Sequence, residues 1–471
     1  MCRELFERAP DAPVSGRTAW TGRPVVVAGA GVSGEAAARA LVARGAQVTI
    51  ADGHEAPLAA LPGVPVRALA APPPGTTLVV TSPGWRPDAP LLVAAAAAGI
   101  EVVGEVELAW WLAREVGAPA PWLAVTGTNG KTTTVRMLAA ILSAAGRDAV
   151  AAGNVGLALV DAVLAGHEVL AVELSSFQLH WSRSLDPHSA TVLNLAPDHL
   201  DWHGSLAAYG RDKARIFGRA TRALVPLDEP AAAALVASRP GAPPDVGLTT
   251  GEPGPGQVGV LDGVLLDRAF AGEPTPLAHA DDVPVAGPHG LSDAVAAAAL
   301  ARSYGVPAGA VRDGLVSFVP DGHRHALVAT ASGVRYVDDS KATNPHAAAA
   351  SLAAQAPVVW LAGGLLKGAD VDDLVRQAAP RLRAVVLLGT DQEPFAQALA
   401  RHAPEVPVRR VARLDTGAMT TAVDVAAALA RNGDTVLLAP AAASMDCFRD
   451  YRERGALFAE RVLALPGAHT A

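Results

Sequence analysis

The run Val125-Thr126-Gly127-Thr128-Asn129-Gly130-Lys131-Thr132-Thr133 constrains this chain more than any other. The apolar segment Trp122–Thr126 leads into it as a strand, and a helix follows. Small residues at such a junction let backbone N–H groups approach a phosphate at a helix N-terminus, where the dipole favours an anion. Lys131 would neutralise β/γ-phosphate charge, and the Thr132 hydroxyl would reach Mg²⁺. Only the Gly-Thr-x-Gly-Lys-Thr core is present, without the full eight-residue spacing. Its flanking strand and helix nonetheless mark a nucleotide-binding α/β domain rather than a chance glycine turn.

At 471 residues the chain has room for about three such domains. It is 51% hydrophobic and 18% charged, too apolar for disorder. A net charge of −8 gives no basic excess of the kind a general nucleic-acid binder carries. Two cysteines, Cys2 and Cys447, fit a reducing cytoplasm rather than a disulfide framework. Met1–Pro10 lacks an apolar core, so no signal peptide is read. The longest uncharged run, 347–366, contains Pro357 and Gly363-Gly364 and reads as helix, stop and strand rather than a membrane span.

Only four of the 38 basic residues are lysines: Lys131, Lys213, Lys341 and Lys367. A chain that otherwise uses arginine keeps lysine where a compact or reactive amine is required. Three of the four fall in loops at predicted strand ends, and Lys213 falls on a predicted helix.

Upstream, Pro24–Ala28 reads as a buried strand followed by Gly29-x-Gly31-x-x-Gly34, a helix to about Arg44, and a strand Gln47–Ala51 ending at Asp52. This βαβ opening would set phosphates near Ser33 and leave Asp52 for a polar group of the nucleoside. NAD(P) is the default ligand of that pattern, and a nicotinamide-dependent oxidoreductase the corresponding rival function. Another nucleotide is the alternative in a chain with a separate ATP loop, as is a set of glycines that merely packs helix on strand. Leu78–Thr81 is a further strand, ending at Ser82-Pro83-Gly84.

Proline-flanked breaks at Pro119–Pro121 and Pro320–Gly322 divide the chain into 1–119, 120–321 and 322–471. Val169–Val172 and Thr191–Leu195 read as strands of the middle part, 239–259 as irregular loops, and Gly287–Gly305 as a helix. Glu173, at a strand's end, suits Mg²⁺, and Asp198-His199 closes the next strand. In the last part, strands at Val334–Val337, Val358–Ala362, Ala384–Leu388 and Thr435–Leu438 alternate with helices, giving a mainly parallel sheet. Asp339–Asn344 and Gly363–Asp370 follow two of these strands. Pro440–Asp446 follows the last and is expected to open an anion-binding helix.

Taken together these motifs resemble the Mur ligase family over nearly the whole chain. The loop Gly127–Thr133, Glu173–Gln178, Asp198-His199, Asp339–Asn344 and Pro440–Tyr451 stand in the family's order, and Glu173–Leu179 with Ser82–Gly84 look like its D-glutamate-adding member. The resemblance implies three α/β domains: an N-terminal Rossmann-like domain, a central P-loop mononucleotide-binding domain and a C-terminal Rossmann-like domain. It implies ATP-dependent joining of D-glutamate to UDP-N-acetylmuramoyl-L-alanine through an acyl phosphate. The chain would act as a cytoplasmic monomer, with two Mg²⁺ sites and no nucleic-acid partner.

By the same resemblance Ser33, Asp52, Ser82, Pro83 and Gly84 hold the UDP part, and Asn154 touches the muramoyl substrate. Gly127, Thr128, Asn129, Gly130, Lys131, Thr132, Thr133, Asp293, Arg324 and Asp339 bind ATP. Thr132 and Glu173 hold one Mg²⁺; His199 and a carbamylated Lys213 hold or stabilise the second. Lys341, Thr343, Lys367, Ser444 and Tyr451 line the D-glutamate and acyl-phosphate end. The chain departs from the family at Gly290 and Asp293, where asparagines are usual, at Ala326, where an acidic residue is usual, and at Leu365 and Tyr451. Two other functions fit the same motifs: a ligase of the family adding another amino acid, and a nucleotide-responsive binding protein without ligase activity.

Overall fold

A computed structural model describes residues 20–53, 58–59, 61–115, 119–218, 221–236, 245–285, 287–320 and 322–470. Met1–Pro10 and Asp321 lie outside them. The chain forms two compact units: Met1–Leu195 with Ala207–Phe318, and Ala196–Leu206 with Val319–Ala471.

The first unit holds two sheets. Strands β1 (Pro24–Ala28), β2 (Gln47–Ala51), β3 (Val66–Arg67), β4 (Leu78–Thr81) and β5 (Glu101–Gly104) pair in parallel in the order β3-β2-β1-β4-β5. The order reverses beside β1, so the loops after β1 and β4 flank the crevice where such sheets take ligands.

The second sheet has nine strands: β6 (Trp122–Thr126), β7 (Ala149–Gly153), β8 (Val169–Glu173), β9 (Ser189–Val192), β10 (Arg222–Pro226), β11 (Val246–Leu248), β12 (Gln257–Leu261), β13 (Val264–Asp267) and β14 (Thr275–His279). Their order is β14-β13-β12-β11-β10-β9-β6-β8-β7, parallel from β7 to β12 and antiparallel at β13 and β14. The run read as irregular at 239–259 therefore contributes β11 and β12. Its glycines and prolines fall between short strands, where alternation is too brief to register. The strand read at Thr191–Leu195 forms over Ser189–Val192, starting two residues and ending three residues earlier.

Pro119–Pro121 separates these two sheets, yet one apolar cluster, including Val25, Leu41, Val103, Trp111, Trp122 and Leu170, spans both. Polar contacts close the seam. Glu107 is buried and accepts from Trp111 Nε1 at 2.9 Å, Arg183 N at 2.8 Å, Ser184 N at 3.1 Å and the Ser184 hydroxyl. Glu105, also buried, accepts from Val160 N at 2.8 Å. Arg39 forks onto both oxygens of Asp161 at 2.8 Å.

In the second unit, β15 (Ala326–Ala331) runs antiparallel to β16 (Val334–Asp338). Strands β17 (Val358–Ala362), β18 (Leu382–Leu387), β19 (Val408–Arg410) and β20 (Thr435–Leu438) complete a sheet ordered β15-β16-β20-β17-β18-β19, parallel apart from β15. The helix expected to open at Pro440 does not form. Ala441 takes φ 59° and its N–H bonds Ala342 O, while Ala443 and Leu365 exchange a backbone pair at 2.8 and 2.9 Å. Those N–H groups are spent sideways on neighbouring loops, so the helix begins at Tyr451, capped by the Asp450 side chain. Among the described residues no helix is long and apolar enough to cross a membrane.

Candidate active site

The central loop leaves β6 and enters the helix Lys131–Ala144. Gly130 caps that helix with φ 82°, and a Cβ there would lie 2.2 Å from Asp293 Oδ1. Both the left-handed backbone and the close carboxylate demand glycine. Asn194, which follows β9, braces the loop: its Oδ1 accepts from Asn129 N at 2.8 Å, its Nδ2 donates to Asn129 O at 3.2 Å, and its carbonyl accepts from Thr128 N. Sequence reading missed Asn194; a polar residue directly after an apolar strand at a sheet's switch point was the available signal.

Two lysines converge here. Lys131 Nζ donates to Gly127 O and Thr128 O, both at 2.9 Å. Lys213, on the helix Leu206–Ala214, is 1% exposed and donates to Gly127 O at 2.7 Å. Its ammonium lies 4.4 Å from the Tyr209 ring centroid, and the Tyr209 hydroxyl reaches Thr128 Oγ1 at 3.3 Å. The neighbouring Asp212 turns to His180 Nδ1, 3.0 Å away, and to Arg215, 3.3 Å away. Lys213 is thus a buried lysine rather than a solvated one.

Glu173 ends β8 and is buried. Asn154 Nδ2 donates to its Oε1 at 2.7 Å, while Oε2 has no hydrogen-bond partner among the described residues. A buried carboxylate oxygen without a donor is the oxygen a hard cation takes. With the Thr132 hydroxyl on the first turn of the neighbouring helix, these residues fit a Mg²⁺ ion. Among the described residues no group of three or more His, Cys, Asp or Glu side chains gathers as a complete ligand set. Substrate oxygens and water would have to supply the remainder.

In the N-terminal sheet, the helix Val32–Val42 starts at the glycine turn and includes Ser33. Asp52 Oδ2 accepts from Ala30 N at 2.8 Å, so one oxygen of that carboxylate shapes the turn. Ser82 Oγ is buried and has no hydrogen-bond partner among the described residues; Pro83 and Gly84 follow it in the loop after β4.

His199 belongs to the second unit, within Ala196–Leu206. It caps a short helix at φ 53°, and its Nε2 lies 3.6 Å from Asp198 Oδ2.

In the second unit the loops after β16, β17 and β20 meet at one sheet edge. Lys341 Nζ stands 4.0 Å from the Tyr451 ring centroid, and Ser340 Oγ donates to Tyr451 O at 2.7 Å. Thr343 N bonds Lys341 O, and Asn344 caps the helix Pro345–Ala353. Lys367 takes φ 52° in a loop held by Leu366 N on Asp391 Oδ2 at 2.8 Å. Ser444 is buried in the loop after β20.

Arg454, fully buried and missed by sequence reading, stitches two of these loops. It donates to Ser340 Oγ at 3.0 Å, Ser340 O at 2.8 Å and Ala442 O at 3.0 Å. Burial pulls its guanidinium down to about 10. In a chain with 34 arginines nothing set this one apart.

Arg324 is flanked by His323 and His325, both at positive φ. His323 Nδ1 pairs with Asp338 Oδ2 at 2.6 Å, a bond that raises the imidazole's pKa. Burial pushes the Asp339 carboxyl up to about 6, against the Ser351 hydroxyl and the Arg324 charge.

A family model described as Mur ligase middle domain matches residues 125–301, and one described as Mur ligase, glutamate ligase domain matches 323–442. The chain is 56% identical over 464 residues to the UDP-N-acetylmuramoylalanine--D-glutamate ligase of Thermobifida fusca, spanning 95% of this chain and 99% of that one. It is 56% identical over 467 residues to the protein of that name from Streptomyces avermitilis, with the same coverage. Among solved structures, MurF from Acinetobacter baumannii shares the fold at TM-score 0.58 and 19% identity, covering 98% of both chains.

Proposed function

This chain belongs to the Mur ligase family, and we propose that it joins D-glutamate to UDP-N-acetylmuramoyl-L-alanine at the expense of ATP, a step of peptidoglycan precursor synthesis. The observation that carries this reading is the 56% identity, over 95% of this chain and 99% of the other, with a relative named for that reaction. The domains are taken as 1–119 for the UDP moiety, 120–321 for ATP and Mg²⁺, and 322–471 for the amino acid.

A carboxylate does not condense with an amine in water unaided. The muramoyl-alanine carboxylate attacks the γ-phosphorus of ATP, the β–γ bridging bond breaks, and ADP leaves an acyl phosphate. The D-glutamate amine then attacks the acyl carbon, loses a proton, and inorganic phosphate departs. Positioning and charge neutralisation dominate both steps. The loop amides and Lys131 hold the phosphates, with Asp293 closing on Gly130. Lys341 and Lys367 meet the acyl-phosphate and carboxylate charges, with Thr343, Ser444 and Tyr451 around the amino acid. Arg324 and Asp339 reach phosphate and ribose.

Thr132 and Glu173 would hold one Mg²⁺, and His199 with Lys213 as its carbamate the second. When bound, the ions neutralise charge building on the transferring phosphoryl group. Asn154 fixes one oxygen of Glu173 and leaves the other for the ion. Ser33, Asp52 and Ser82–Gly84 hold the UDP end. The two cysteines suit a reducing cytoplasm, and the enzyme is read as a monomer.

The test is phosphate release with ATP, Mg²⁺ and UDP-N-acetylmuramoyl-L-alanine across a panel of L- and D-amino acids. Release rising with D-glutamate alone is expected. Equal turnover with L-glutamate, or with another amino acid, overturns the assignment, and ATP binding without release favours a nucleotide-responsive binding protein.

A further inference from the structure

His325 favours the ionised form of the Asp339 carboxylate with its backbone N–H and reaches that carboxylate with its ring through one hydroxyl. Its ring contacts Ser351 Oγ through Nδ1 at 3.3 Å, and the Ser351 hydroxyl donates to Asp339 Oδ2. On the other side, His325 Nε2 lies 2.8 Å from Gln355 Nε2.

The direction of this chain follows from its far end. Gln355 Oε1 accepts from Arg335 Nη1 at 3.4 Å and from Thr435 Oγ1 at 3.1 Å. A guanidinium can only donate, so the amide oxygen must face Arg335 and the NH₂ must face His325. His325 Nε2 is therefore the acceptor, and Nδ1 carries the proton. That N–H points at Ser351 Oγ, which in turn spends its own proton on Asp339. Every hydrogen bond from Gln355 onward points toward one carboxylate oxygen.

We propose that His325 is a positioning residue for Asp339, holding the carboxylate ionised and oriented through a directed Gln355–His325–Ser351 relay. Charging the imidazole would set its Nε2–H against the Gln355 NH₂ and break the relay. Burial and the Arg335 charge both hold His325 below the ordinary histidine range, in keeping with a neutral ring. The charged groups facing Asp339 are Arg324, which favours its ionised form, and Asp338, which opposes it. The kinetic consequence rests on the reading above, in which Asp339 meets the nucleotide.

Two variants separate a relay from mere packing. In His325→Asn the amide NH₂ falls where Nδ1–H stood, and asparagine tolerates the positive φ of 51°. In His325→Gln the amide falls nearer Nε2 and cannot serve Ser351. Nitrogen-15 NMR of the full chain with labelled histidine should show His325 protonated at Nδ1. Carboxyl carbon-13 NMR, assigned with Asp339→Asn, should show the Asp339 midpoint rising by about half a unit or more in the Gln variant. It should stay put in the Asn variant. The acid limb of kcat/KM for ATP should move likewise. An Nε2–H tautomer, or equal Asp339 midpoints in both variants, overturns the relay. A moved Asp339 midpoint with an unmoved ATP profile supports the relay and overturns only the contact of Asp339 with nucleotide.

Discussion

Lys131 and Lys213 donate to the same carbonyl oxygen, that of Gly127, at 2.9 and 2.7 Å. One is the expected loop lysine; the other arrives from a helix more than eighty residues on. Two ammonium groups on one oxygen stand no more than 5.6 Å apart, the sum of 2.9 and 2.7 Å, and repel by at least about 3 kcal/mol at an effective dielectric near 20. The arrangement suits a loop whose ligand is a polyanion.

Replacing Lys131 by Met removes the cation proposed to meet the β/γ-phosphates and leaves the loop braced by Asn194. We expect kcat to fall by roughly 10²–10³, as for loss of one preorganised charge contact. The circular dichroism spectrum and unfolding midpoint should be kept. Turnover within a few-fold of wild type would show that the loop amides alone suffice.

Glu173→Gln keeps an acceptor for Asn154 and removes the negative charge from the unpartnered oxygen. The Mg²⁺ concentration for half-maximal activity should rise about tenfold or more, since Mg²⁺ takes charged oxygens. Chelation should abolish phosphate release in the wild type and added Mg²⁺ restore it. Stability should not fall, because an unpaired buried charge is being removed. An unchanged Mg²⁺ titration would separate Glu173 from the metal.

Glu105 offers a pH test. Burial pushes its carboxyl up to about 7, against the stabilising Val160 N–H. Its ordinary value is 4.5. Between these values the unfolded chain sheds the proton while the native chain keeps it. Native stability therefore falls as pH rises through that window, and the full penalty stands above it. The shift corresponds to on the order of 3 kcal/mol. Glu105→Gln keeps the acceptor without the charge. Its urea midpoint should match wild type below pH 4.5 and exceed it increasingly to pH 8. A constant difference across that range would refute the assignment.

The strand ends bearing Lys131, Glu173, Lys341 and Lys367 were legible because apolar runs break sharply into glycine and polar residues. The sideways pairing of Ala441 and Ala443 was not, because it depends on loops 80 to 100 residues away. Neither was the burial of Lys213: its helix sets Arg211 and Asp212 beside it, a pattern that reads as solvent-facing. Arg454 and the His325 relay act through backbone oxygens and small hydroxyls. Those contacts have no spacing rule along the chain.

The departure at Gly290 is fixed by space rather than chemistry. A Cβ at this position in the helix Pro288–Ser303 would lie 2.0 Å from Val285 O. Introducing the asparagine usual in the family should force the preceding turn apart. We expect Gly290→Asn to lose roughly 2–4 kcal/mol by chemical denaturation. An unchanged midpoint would mean that Val285 yields freely.

Lys213 is the sharpest case. It is buried against Tyr209 and Gly127 O, in a chain that uses arginine almost everywhere else. Arginine could carry the charge and donate to a carbonyl equally well, so retention of lysine points to chemistry only an amine can do. Its neutral amine can add CO₂, forming an N–C bond and releasing a proton, and the cation becomes an anion with two oxygens. That removes the repulsion from Lys131 and supplies hard oxygens suited to Mg²⁺. Lys213→Arg keeps the charge but cannot form the carbamate, so ligation should drop by at least about 10² if a metal site is lost. Lys213→Ala should also be weak, yet recover in part with added formate or acetate, which restore the oxygens. Near-normal activity of Lys213→Arg, or no recovery of Lys213→Ala by any short carboxylate, would exclude the carbamate.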